Sequence, residues 1–242
     1  MPDRIVFNLN WDELVNNVKK YNREQEAYLK GEFELRELLN EGLDQVNLYN
    51  FLDKLNKFWD ARVTKKNLDL NKIAEYTSRN LKDFNPDIWK TVPRCPYKGI
   101  CPAVVARGEK LLRSFLEAPS ISKRYLVFYT KILYWFSGGL LPIIDRRTGR
   151  AINAIKRDKF IRFPGDFLPK NKNKNEYYVK SYKNFIDFYD ETLKQLSHRS
   201  HNTLVEVDRE TQPEKYRLQN PILRIIDKIL WEKGTRPKSL TA

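Results

Sequence analysis

One amine and one carboxylate stand out by their surroundings. Lys131 lies inside the run Leu126-Val127-Phe128-Tyr129-Thr130-Lys131-Ile132-Leu133-Tyr134-Trp135-Phe136, where every neighbour but Thr130 is aliphatic or aromatic. Asp145 follows fourteen positions later, delivered by the apolar segment Leu141-Pro142-Ile143-Ile144 and followed at once by Arg146 and Arg147. A charged amine in apolar surroundings is costly unless it is paired or used. A neutral lysine amine attacks an anomeric carbon and forms a Schiff base. A carboxylate beside it stabilises the sugar cation that develops as a base leaves. Burial and the neighbouring arginines would both lower the lysine pKa and supply free amine at neutral pH. On the residues alone, the plainer alternative stands ahead: Asp145 caps a helix and Lys131 snorkels from a packed one.

Other chemistry has less to build on. Cys95 with Cys101 and His198 with His201 would supply four zinc ligands, but the cysteine spacing is long for a zinc site and the two pairs lie far apart in the chain. The expectation is therefore no metal and no cofactor. HExxH is absent, as is a glycine-rich phosphate loop, and two histidines in a polar segment give little footing for a nucleophile–histidine device.

Charge points to a polyanion. The formal net charge is +14 over 242 residues. Between Arg146 and Lys183 twelve basic residues face three acidic ones, so this stretch holds most of the excess. Charge so local suits a phosphate-binding face better than general solubility. Tyr177, Tyr178 and Tyr182 lie within it and would either stack on bases or, for Tyr178 and Tyr182, share one buried helix face. No apolar run is long enough to span a bilayer, and Met1-Pro2-Asp3-Arg4 does not open like a secretory signal. A cytoplasmic, membrane-free monomer is the expectation.

The elements that must hold the pair are helices. Asn10 through Glu13 form a capping box, continued by Leu14, Val18 and Tyr21. Apolar spacing predicts further helices over 43–59, 71–81 and 103–116. Prolines and glycine punctuate residues 83–102. Ala118 to Ser122 reads as a tight link, with Ser120 or Ser122 capping the helix that carries Lys131. That helix stops at Ser137-Gly138-Gly139. Asp145 is suited to cap a helix running to about Lys156. Residues 170–175 read as a basic surface loop or arm. Phe185 to Leu196 mark another helix. The last starts at Asn220-Pro221, buries Ile222, Ile225, Ile226, Ile229 and Leu230, and ends at Gly234. Only Arg4 to Leu9 alternates as a strand would.

The order Lys131-Ile132-Leu133-Tyr134-Trp135-Phe136, then Leu141-Pro142-Ile143-Ile144-Asp145-Arg146-Arg147, then Arg150-Ala151-Ile152 resembles the catalytic segment of the helix-hairpin-helix DNA glycosylases. It looks closest to divergent relatives of the 8-oxoguanine DNA glycosylases. Pro221 to Gly234 is similar to the closing helix of such relatives. The resemblance implies a mostly α-helical fold of two packed subdomains with a cleft, about 1–118 and 119–242, the terminal helices packing across. It implies Lys131 as nucleophile and Asp145 as stabiliser of the sugar cation. It implies DNA as partner, gripped by Arg146, Arg147, Arg150, Lys156 and Arg157 and by Ser120, Ser122 and Lys123 of the link. The family's hairpin turn carries Gly-x-Gly, which the link here lacks, so the basic stretch after Asp145 would take over that grip. A base flipped from the stack would meet Tyr129, Tyr134 and Trp135. The implied activity is excision of a damaged or modified base, with or without strand cleavage, in repair or antiviral defence. The alternatives are a non-catalytic nucleic-acid-binding protein on the same scaffold and an enzyme acting on free nucleosides or hypermodified bases.

Overall fold

Local chemistry starts the first helix. The Asn10 side chain accepts from the Glu13 amide at 2.9 Å and the Glu13 carboxylate accepts from the Asn10 amide at 2.8 Å, closing the expected capping box ahead of α1 (Trp11–Glu24). The computed structural model describes residues 10–42, 44–58, 69–79, 99–118, 126–157 and 174–234. The alternating stretch Arg4 to Leu9, Cys95, the link residues Ser120, Ser122 and Lys123, and the loop 170–173 lie outside the described residues.

After α1 come α2 (Glu26–Asn40), α3 (Gln45–Phe58), α4 (Leu70–Arg79), α5 (Pro102–Glu117), α6 (Leu126–Phe136), α7 (Arg146–Lys156), α8 (Lys174–Gln195), α9 (His198–Thr211), a 3-10 turn (Glu214–Tyr216) and α10 (Ile222–Lys233). The described residues are mostly helical and contain no strand. Two helices, α2 and α9, occupy stretches where the sequence pattern predicts none. α8 begins at Lys174, inside the expected loop, and the Asn175 side chain donates to the Leu116 carbonyl at 3.2 Å. Pro221 is the N-cap of α10 rather than its first residue.

α10 is the axis of the molecule. It packs against α1, α7 and α9. Its expected apolar face is buried, and so are Arg224, Asp227, Lys228 and Glu232 on the remaining faces. α5 packs on α6 and α8, and α3 joins α2, α4 and α6. Aromatic rings fill the core where these helices meet: Phe115 stacks on Tyr129 at 4.9 Å, and Phe51 meets Trp135 and Phe136 edge-on.

Two glycine sites fix how α6, α7 and α10 meet. Gly138 and Gly139 have φ of 61° and 80°, the left-handed turn that ends α6. A Cβ on Gly234 would come within 1.9 Å of the Arg147 carbonyl oxygen, so α7 and α10 touch through backbone there. Gly234→Ala is expected to destabilise the fold by ~1–3 kcal/mol through forced separation of the two helices, read as a lower guanidinium midpoint at unchanged m-value.

Candidate active site

α6 and the segment entering α7 are tied side by side. Thr130 Oγ1 accepts from the Ile144 amide at 3.2 Å. Lys131 and Asp145 are each one residue further along the two segments this bond joins. Lys131 is buried, with 4% of its surface exposed. Asp145 is partly exposed and caps α7, accepting from the Arg147 amide at 2.7 Å. Tyr182, from α8, donates to the Pro142 carbonyl at 3.1 Å and holds the same apolar segment from the other side.

The residues after Asp145 divide by their partners. Arg146 is exposed. Arg147 lies over the Trp231 ring at 3.9 Å. Arg150 donates to the Gly234 carbonyl at 3.2 Å and 3.4 Å. Lys156 pairs with Glu191 at 2.6 Å, and the exposed Arg157 ends α7 with φ 54°. Arg147, Arg150 and Lys156 thus all hold α7 to its neighbours, while Arg146 and Arg157 mark the ends of its exposed basic side.

The aromatic residues assigned to a base pocket are packed in the core. Tyr129 is fully buried against Phe115, and Tyr134 and Trp135 are 4% and 6% exposed. Tyr178 and Tyr182 share the buried face of α8, the helix-face alternative for these rings. Cys101 and His201 line one pocket, and among the described residues no group of three or more His, Cys, Asp or Glu side chains could hold a metal. Among them, no helix is long and apolar enough to cross a membrane.

Sequence reasoning missed a buried polar network along α10. Arg224 pairs with Glu32 of α2 and with Asp227, and donates to the Tyr21 hydroxyl at 2.6 Å. Tyr189 donates to Asp227 at 3.3 Å. Deeper along the helix, Lys228 donates to Asp208 at 2.6 Å and to Asn22 at 2.8 Å, while Gln212 and Asn220 complete the Asp208 carboxylate. The signal was present: Arg224, Asp227, Lys228 and Glu232 recur at three- and four-residue spacing, a second stripe beside the isoleucines.

This network reaches Asp145. Burial raises the Asp227 pKa to about 6, Arg224 opposes the rise, and the charges of Asp145 and Glu32 add to it. Asp145 also helps hold the Tyr189 hydroxyl protonated, behind the larger effects of burial and Asp227. A buried acid with affinity for a proton near neutrality thus lies within electrostatic reach of the partly exposed Asp145. Between an unfolded value near 3.8 and a folded value of about 6 the native state keeps a proton that the unfolded chain has released. The contribution of this carboxyl to stability is fully present below the lower value and lost as pH rises through the upper one, ~3 kcal/mol in all. Asp227→Asn is expected to flatten the fall in denaturant midpoint from pH 4.5 to 7. An unchanged slope would show that Asp227 does not carry it.

No family model, curated protein or solved structure matches this chain.

Proposed function

We propose that the protein is a DNA glycosylase that excises a damaged or modified base, with Lys131 and Asp145 as its reacting pair. The observation that supports this reading is the Thr130–Ile144 hydrogen bond, which ties the helix carrying the buried lysine to the segment that ends in the capping aspartate. In this reading the packed helices α5 and α6 would serve as the hairpin pair of a helix-hairpin-helix glycosylase, and α10 as its closing helix.

In this reading the Lys131 amine, having passed its proton to water, bonds to C1′ of the flipped nucleotide. The glycosidic C–N bond breaks, its electron pair leaves with the base, and the base takes up a proton. Asp145 lies at the point where positive charge builds on the sugar, and its carboxylate stabilises that charge. Opening of the ring gives a Schiff base between Lys131 and C1′. Loss of a C2′ proton then expels the 3′ phosphate. Without attack by Lys131, Asp145 would activate water and release the base with the strand intact. Arg146 and Arg157 would meet phosphates at the two ends of α7.

The test is borohydride trapping on duplexes carrying a panel of damaged and modified bases, with abasic sites counted in parallel. A covalent adduct that is lost in Lys131→Ala supports the lyase. Abasic product without an adduct supports the water route. A panel that yields neither, from protein that binds DNA in a salt-sensitive way, identifies a binding protein and removes the enzyme reading.

A further inference from the structure

A pocket of about 520 Å³ opens at the far end of α6 from Lys131. Its walls come from the start of α5, the Gly138-Gly139-Leu140 turn, α9 and the start of α10. Neither Lys131 nor Asp145 lines it. From Lys131 to the last residue of α6 is five residues, or roughly 8 Å of helix axis, and the pocket lies beyond that.

The floor is aliphatic, with Val104, Leu193 and Leu223 buried and Ile100, Leu140 and Val205 partly so. The rim is polar and mixed in sign. Arg209 and Glu206 project from α9 one turn apart, joined by Asn202 and, from the segment entering α10, Gln219. All four are exposed, and neither Arg209 nor Glu206 is taken up by an ion pair among the described residues. Their charges cancel. Burial lowers the pKa of His201, the remaining titratable group of the pocket besides Cys101, so its ring is neutral at physiological pH.

Three properties then select the ligand. The volume lies in the range of small-molecule sites, about 300–1,000 Å³. A lining of zero net charge disfavours phosphates and other polyanions. Aliphatic walls under a rim that both donates and accepts favour a compact apolar body with a donor edge and an acceptor edge. We propose that this pocket binds a free nucleobase or nucleoside, its faces against the aliphatic walls and its edge read by Arg209 as donor and Glu206 as acceptor. The site goes beyond the base-excision reading and does not rest on it.

Cys101 reports occupancy, because it lines the pocket, is partly exposed and is a free thiol. The probes are deoxyguanosine, deoxyadenosine, thymidine and deoxycytidine, added singly at up to millimolar concentration to the full chain. The readout is the rate of iodoacetamide alkylation at Cys101, resolved from Cys95 by peptide mass spectrometry. At least one deoxynucleoside is expected to slow alkylation fivefold or more, saturably. Arg209→Met and Glu206→Gln, both on the exposed side of α9, should each weaken that protection tenfold or more. Lys131→Ala should leave it intact. The proposal is overturned if none of the four protects saturably, or if protection is the same in the parent and in both α9 variants. Protection lost in Lys131→Ala but kept in the α9 variants would instead place the nucleoside at the reacting pair, and would also overturn it.

Discussion

Asp145→Asn is expected to leave the fold intact and to slow base release on the order of 100- to 1,000-fold. The capping role of Asp145 and its proposed reacting role separate in this one substitution. As a cap it needs only a side-chain oxygen to accept from the Arg147 amide, which it does at 2.7 Å, and asparagine supplies one. As a reacting group it needs charge, because an amide does not stabilise a cationic sugar as a carboxylate does. Asp145→Ala serves as the reference for the cap, with ~1 kcal/mol of stability lost along with activity. Turnover by the asparagine variant at the parental rate, on a substrate the parent accepts, would reduce Asp145 to a structural cap and remove the enzymatic reading. The measurement needs single-turnover base release together with denaturation midpoints for both variants.

How far the sequence speaks depends on which force builds each element. α1, α7 and the end of α6 were legible because local chemistry sets them: the Asn10–Glu13 box, the Asp145 cap and the paired glycines each act within a few residues. The isoleucine face of α10 was legible because burial and helical period coincide there. α2 escaped because Gly31 and the glutamates interspersed along it mask its stripe, and one of the residues it buries is Glu32. α9 escaped for the same reason, since Ser200 and Asp208 are buried alongside Leu204. Pattern reading places charge outside, and this core uses charge inside. The same blind spot covers the candidate site. Lys131 and Asp145 stood out singly, but Asp227 and Tyr189, which lie within electrostatic reach of Asp145, lie 82 and 44 residues away from it and belong to helices read for their apolar faces alone.

Arg224→Met should cost ~3–5 kcal/mol, the largest stability loss expected of a single substitution here. The guanidinium is 4% exposed and serves Glu32, Asp227 and the Tyr21 hydroxyl together, joining α1 and α2 to the central helix. Methionine fills much of the volume, so a cavity is not the main cost. What remains is two carboxylates facing each other out of water with no cation between them. They respond by taking up protons, so the loss should be larger at pH 8 than at pH 5. That pH dependence distinguishes unpaired charge from lost packing, which would cost the same at both. Adding Glu32→Gln to Arg224→Met should return part of the loss, since the two sites share one network and their effects do not add. A loss under ~1 kcal/mol at pH 8 would show that water or rearrangement satisfies the acids, and that α10 is held by its isoleucines alone. The consequence would extend to Asp145, because Asp227 is held within its electrostatic reach by the helix that Arg224 anchors. Weakening that anchor should therefore disturb any chemistry at Asp145 from a distance.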